Sequence, residues 1–243
     1  MKNHDKILRS FKPKDELNTK IWNDGGKKMD KEVRDKLLEI ANEYIEFINL
    51  DIVITDVVMT GSLANFNWSD YSDVDLHLIV NFNQFPSNQI ELYKEYFNVK
   101  KILFNLNHDI TIFGYDVELY TEDDSEVHIS SGVYSILFDE WMTKPKKENV
   151  EIDLELIKTK SKQWMSKIDT IITSLDDSDF EYSKKVLDAL GKKIKKFRQS
   201  GLDDEGEYSN ENMIFKVLRR SGYLDKVREF KNKVIDKNLT LKQ

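Results

Sequence analysis

Residues 57–82 read VVMTGSLANFNWSDYSDVDLHLIVNF. A β-branched run over residues 51–59 ends in Thr60-Gly61-Ser62, and ten residues later Asp73-Val74-Asp75 opens a second run, residues 73–82. Side chains alternate faces along a strand, so Val74, Leu76, Leu78 and Val80 are expected on one face and Asp73, Asp75 and His77 on the other. Two carboxylates side by side repel unless a cation or a proton lies between them. A hard divalent cation such as Mg²⁺ takes carboxylate oxygens and keeps coordination positions for phosphate. The Gly-Ser turn is the complementary part, because glycine admits a ligand close to the backbone and exposed N–H groups with a hydroxyl hold phosphate oxygens. The alternative is that Ser62 caps a helix and the aspartates lie in a solvated turn. Residues 76–80 are apolar apart from His77, which a solvated turn does not need.

Gly61-Ser62 followed by Ser72-Asp73-Val74-Asp75-Leu76 resembles the signature of the polymerase-β nucleotidyltransferase superfamily. The resemblance implies an α+β fold, a nucleotidyltransferase-type mixed β-sheet with flanking helices, followed here by an all-helical C-terminal domain. It also implies a third carboxylate on a later strand, for which residues 114–120, GYDVELY, supply Glu118 and, as the alternate, Asp116. The implied activity is transfer of a nucleoside monophosphate from a nucleoside triphosphate to an acceptor hydroxyl, with release of pyrophosphate. Asp73, Asp75 and Glu118 would then be catalytic and hold two Mg²⁺ or Mn²⁺ ions, while Gly61, Ser62 and Ser72 would serve the triphosphate. His77 shares the aspartate face and is a further candidate. The acceptor is left open among an RNA end, a second nucleotide, a small alcohol and a protein hydroxyl. A nucleotide-binding sensor or antitoxin-like partner without turnover is the reading from another class. The overall pattern, including Asn212-Met213-Ile214-Phe215-Lys216-Val217-Leu218-Arg219, is also similar to nucleotidyltransferases of tailed phages.

Composition narrows the rest. The chain has 243 residues and no cysteine, which excludes disulfides, thiolate zinc sites and cysteine nucleophiles. Residues 1–17 lack an apolar leader core, and no run approaches the roughly 18 apolar residues of a membrane span, so a soluble, cytoplasmic protein is expected. The formal charge of −7 argues against nonspecific gripping of long nucleic acid. Residues 1–150 hold 17 Lys and Arg against 27 Asp and Glu (−10), and residues 151–243 hold 20 against 17 (+3). That asymmetry suits a second half that handles phosphate.

Three parts are expected: an arm over residues 1–28, a catalytic domain over 29–145 and a helical domain over 146–243. The arm is polar and irregular, anchored by Leu17, Ile21 and Trp22. A helix over residues 30–50, N-capped by Asp30, should lie on the sheet. Phe66 and Trp68 are expected in the core, and Asp70 in a turn. A helix over 90–106 crosses to strands at 109–113 and 115–121, with Tyr120 beside the site. Residues 126–141, including His128, give no clear pattern. In the helical domain, Ser209 should cap a helix after an acidic loop over residues 200–210. The resemblance implies a helical domain that closes over the triphosphate, in which Lys192, Lys216 or Arg219 could reach phosphate.

Overall fold

The structure, a computed structural model, describes residues 2–126, 130–147, 150–175 and 179–241. They fall into two units, one of Pro13–Asn149 and one that joins Met1–Lys12 to Val150–Gln243. His128 and residues 176–178 lie outside the described residues. The architecture is mixed α+β with a helical C-terminal region, as the sequence implies. The arm expected over residues 1–28 is not one irregular piece. Its first part is helix α1 (Lys2–Arg9), and its later part forms a hairpin of β1 (Trp22–Asn23) and β2 (Lys28–Met29).

In the first unit, Asp30 caps α2 (Lys31–Ile48) by accepting from the backbone N–H groups of Glu32 and Val33, at 2.9 and 3.3 Å. The helix ends where Asn49 turns left-handed at φ 55°. Its apolar stripe, Val33, Leu37, Ile40, Ala41, Tyr44 and Ile48, is buried at helical spacing. Strands β3 (Ile54–Thr60) and β4 (Val74–Val80) follow, then α3 (Ile90–Asn107), β5 (Thr111–Ile112), β6 (Tyr115–Asp123), β7 (Val133–Ser135) and β8 (Glu140–Thr143). The sheet order is β5-β6-β4-β3-β7-β8, with β4 and β6 parallel and the other neighbours antiparallel.

A parallel neighbour needs a crossover, and α3 supplies it. Beside β6, the Asn105 side chain donates to the Leu119 carbonyl at 3.2 Å and accepts from its N–H at 3.1 Å. Phe113 (φ 50°) and Gly114 (φ 85°) make the two-residue turn between β5 and β6, the positive-φ pair that tight hairpins require. Residues 126–141, ambiguous in sequence, contain β7 and the start of β8. Val74, Leu76, Leu78 and Val80 all face the main core, together with Val57, Met59 and Leu119 from the flanking strands. Residues 51–53 stay outside β3.

The second unit is helical. Alongside α1 it contains α4 (Leu154–Ser174), α5 (Phe180–Glu205), α6 (Asn210–Arg220) and α7 (Tyr223–Leu239). Ile7, Leu8 and Phe11 are buried, so the first dozen residues carry apolar anchors that their polar surroundings conceal. Asp5 pairs with Lys158 at 3.0 Å, and Arg220 donates to the Ser10 hydroxyl at 2.9 Å. The loop expected over residues 200–210 is a correction: α5 runs to Glu205, and a short 3-10 turn over Gly206–Tyr208 leads into α6. Gly201 is buried where α5 passes Ser209 and Glu211, so a close helix approach, not a loop, explains that glycine. Ser209 caps α6 by accepting from Asn212 N–H at 3.3 Å.

Candidate active site

Two parallel neighbours, β4 and β6, deliver the acidic side chains. Asp75 lies opposite Thr60 of β3 on one side and Glu118 of β6 on the other, and Asp73 immediately precedes β4. One carboxylate oxygen from each of Asp73, Asp75 and Glu118 lies within 4.8 Å of the other two. Both aspartates are half-buried. Three like charges this close favour a cation between them, and an all-carboxylate donor set suits a hard divalent ion. Asp116, the alternate third acid, sits one alternation earlier on the same face of β6, pairs in register with Thr111 and is exposed. It is absent from the cluster of three.

Gly61 ends β3 with φ 76° and ψ −164°. A Cβ built on it would lie 1.7 Å from Asp75 Oδ2, so the Asp75 carboxylate occupies the space that any other residue's side chain would claim. Glycine is required here twice, by its dihedral and by this approach. Residues Ser62–Ala64 then form a 3-10 turn. The Ser62 hydroxyl donates to Ser72 Oγ at 2.7 Å, and Ser72 Oγ also accepts from Ser69 N–H at 3.0 Å. Ser72 thus ties the turn after β3 to the entrance of β4.

The turn is braced from behind by residues whose role the sequence did not disclose. Trp22 donates from Nε1 to the Leu63 carbonyl at 2.7 Å and stacks on Trp141 with centroids 4.4 Å apart. A Cβ on Gly132 would lie 2.0 Å from the Ala64 carbonyl oxygen, so the chain entering β7 presses against the same turn. Lys14 N–H donates to the Phe66 carbonyl at 2.7 Å, and Trp68 Nε1 to the Glu16 carbonyl at 2.9 Å. Residues 13–22 therefore act as a strap over the turn. Phe66 and Trp68 pack against the core, as expected.

On the site face of β6, the Tyr120 hydroxyl donates to Glu118 Oε2 at 2.6 Å. The ring stacks on His77 with centroids 4.7 Å apart, and Lys101 Nζ lies 4.6 Å from its centre. Burial first, then the bond to Glu118 and the charges of Glu118, Asp75 and Asp73, push the phenol pKa up, so Tyr120 remains a donor. His77 is buried and places Nε2 3.0 Å from Thr60 Oγ1 and Nδ1 2.8 Å from Glu122 Oε1. Its ring therefore supports Tyr120. Period-2 alternation placed His77, Glu118 and Tyr120 on this face, but the bond between the last two depends on rotamers that no pattern encodes.

The basic candidates belong to the helical unit. Lys192 is exposed on α5, Arg219 is exposed on α6, and Lys216 is half-buried on α6. Burial, followed by smaller contributions that include Arg220, Arg219 and Arg198, lowers the Lys216 pKa. No helix among the described residues is long and apolar enough to cross a membrane.

The arrangement defines an α+β unit with a carboxylate triad beside a glycine-led turn. No family model and no curated protein matches the chain. Among solved structures, it is similar to a STING-associated CdnE c-di-GMP synthase from Capnocytophaga granulosa, at 11% identity over 86% of this chain and 84% of that one, with a TM-score of 0.23. A likeness at that level carries no argument about this chain, whose function has to be read from its own residues.

Proposed function

We propose that the protein is a metal-dependent nucleotidyltransferase that moves a nucleoside monophosphate from a nucleoside triphosphate to an acceptor hydroxyl and releases pyrophosphate. The observation that supports this reading is the meeting of Asp73, Asp75 and Glu118 within 4.8 Å of one another beside the Gly61–Ser62 turn. The donor set fits Mg²⁺ or Mn²⁺: all oxygen, all anionic and partly open. When bound, a pair of such ions neutralises triphosphate charge and lowers the pKa of the attacking hydroxyl.

The chain's own contributions follow from position. Asp73 and Asp75 would hold the ions, carried by β4, whose other face is locked in the core. Glu118, fixed at Oε2 by Tyr120, completes the set and receives the acceptor's proton. Gly61 lets the Asp75 carboxylate close against the backbone of the turn, which brings the turn beside the metal-binding acids. The backbone N–H groups of Ser62 and Leu63, which have no partner within the 3-10 turn, orient the β- and γ-phosphates so that pyrophosphate leaves in line. Ser72 holds that turn to the aspartates. The cytoplasm, where triphosphates are made, is the compartment this reading implies.

The test is incubation of the full chain with each nucleoside triphosphate, Mg²⁺ or Mn²⁺ and a panel of acceptor hydroxyls, with pyrophosphate as the readout. Release by the wild type that disappears in Asp73→Asn supports the proposal. Unaltered release in that variant sinks it. Nucleotide binding without pyrophosphate across the whole panel would instead favour a sensor.

A further inference from the structure

The helical unit has a cavity of its own, about 680 Å³, between α5 and α7 with Phe215 of α6 at its side. Its floor is apolar, built on Leu187, Ile194 and Val227, each buried. Its rim is cationic. Arg228 is paired with Asp225 at 2.8 Å, and Lys231 with Asp188, the acid on the rim. Lys192 and Lys195 line the opening and make no ion pair among the described residues. Arg198 bonds to Asn212 Oδ1 at 3.2 Å and lies over the Phe215 ring, 4.5 Å from its centre. An apolar floor beneath five lining cations that face a single lining acid, Asp188, calls for an anion with an apolar body.

Gly191 sharpens the assignment. It lies in the interior of α5, where glycine costs about 1 kcal/mol relative to alanine. Neither its dihedral nor its packing requires it, because an added Cβ would meet no atom within 4 Å. It lines the cavity, so its missing side chain leaves a bare stretch of helix open to a flat group.

We propose that this cavity binds a nucleotide, with the aromatic base laid over Gly191 against Phe215 and the phosphate held by Lys192, Lys195 and Arg198. Stacking on an aromatic ring is tolerant of base identity and worth about 1–3 kcal/mol. Guanidinium and ammonium groups supply charge-assisted bonds to phosphate. The cavity is lined by helical-unit residues alone, so the assignment does not depend on the carboxylate site.

The experiment uses the full chain in EDTA, which silences metal-dependent binding at the carboxylates, and titrates ADP by calorimetry. Binding below millimolar is expected in the wild type and equally in Asp75→Asn. Gly191→Leu, a helix-favouring change into open space, should weaken it at least about 10-fold without lowering the melting temperature. The double variant Lys192→Glu, Lys195→Glu should weaken it at least as much, which keeps the test decisive if the first variant folds poorly. Failure of ADP to bind at millimolar concentration, unchanged binding in these two variants, or loss of binding in Asp75→Asn would each overturn the proposal. Binding of decanoate in place of ADP would overturn the assignment of a planar ring.

Discussion

The two faces of β4 obey different physics from one alternating sequence. On the core side, Val74, Leu76 and Val80 are fully buried and Leu78 nearly so, and what they touch is apolar. On the other side, Asp75 and His77 face Glu118 and Tyr120 of the parallel neighbour, and like charges are held closer than they would choose. The core face stabilises the strand, and that stability lets the opposite face sustain repulsion. Stability and chemistry are thus separable residue by residue, and substitutions can be chosen to strike one without the other.

The largest effect is expected from Asp75→Asn. Pyrophosphate release should fall by about 10³-fold, the scale of losing a charge-stabilising group at the reacting centre. Its metal-free melting temperature should equal or exceed that of the wild type, because a repulsion is removed. Mn²⁺ should raise the melting temperature of the wild type and not of the variant, a readout free of turnover. Leu76→Ala reverses the pattern. It should cost about 3 kcal/mol in urea unfolding, as buried leucine truncations do, while kcat per folded molecule holds. If Leu76→Ala lowered kcat as much as Asp75→Asn does, the separation of the faces would fail.

Smaller effects test how the polar face is kept in order. Gly61→Ala must move the Asp75 carboxylate or the turn, and together with its positive φ should cost about 1–3 kcal/mol, measurable in the same urea experiment. Tyr120→Phe keeps the ring on His77 but removes the donor to Glu118. Half-saturation by Mn²⁺ should shift upward by about 10-fold, the value of a hydrogen bond to a charged group.

The smallest effect comes from the core-side tyrosine. Burial, then the bond of its hydroxyl to Asp139 Oδ1 at 2.7 Å, pushes the Tyr134 pKa up to about 12. An unfolded tyrosine titrates near 10. Between these values the folded state keeps a proton that the unfolded state has lost, so stability should decline from about pH 10 to about pH 12. Tyr134→Phe should show a shallower decline in urea midpoint over that window.

How much of this was legible in sequence differs between the units. Gly61, Ser62, Ser72, Asp73 and Asp75 lie together as their spacing implied, because strand alternation is rigid and they sit where β3 ends and β4 begins; Glu118, mid-strand in β6, was pointed to by the family resemblance. Boundaries were less legible. Strand β3 begins at Ile54, not at residue 51, since apolar β-branched residues do not reveal which backbone groups find partners. The strap over residues 13–22 and the contact of Gly132 with the turn escaped because they join positions far apart in the chain. Helix α1 escaped because only a few of its residues are apolar, and its burial depends on α4 and α6, more than 140 residues later. In the helical unit, the resemblance pointed to Lys192, Lys216 and Arg219 without ranking them, since the exposed faces of α5 carry many lysines.

Parallel pairing of β4 with β6 has a consequence for how the protein matures. The carboxylates of Asp75 and Glu118 become neighbours only after the 18 residues of α3 have traversed the sheet and β6 has docked in register. A hairpin of β3 and β4 alone would present two acids and no third. On the proposed function, sensitivity to divalent ions would arrive late, and an ion in the refolding buffer should slow unfolding far more than it hastens folding.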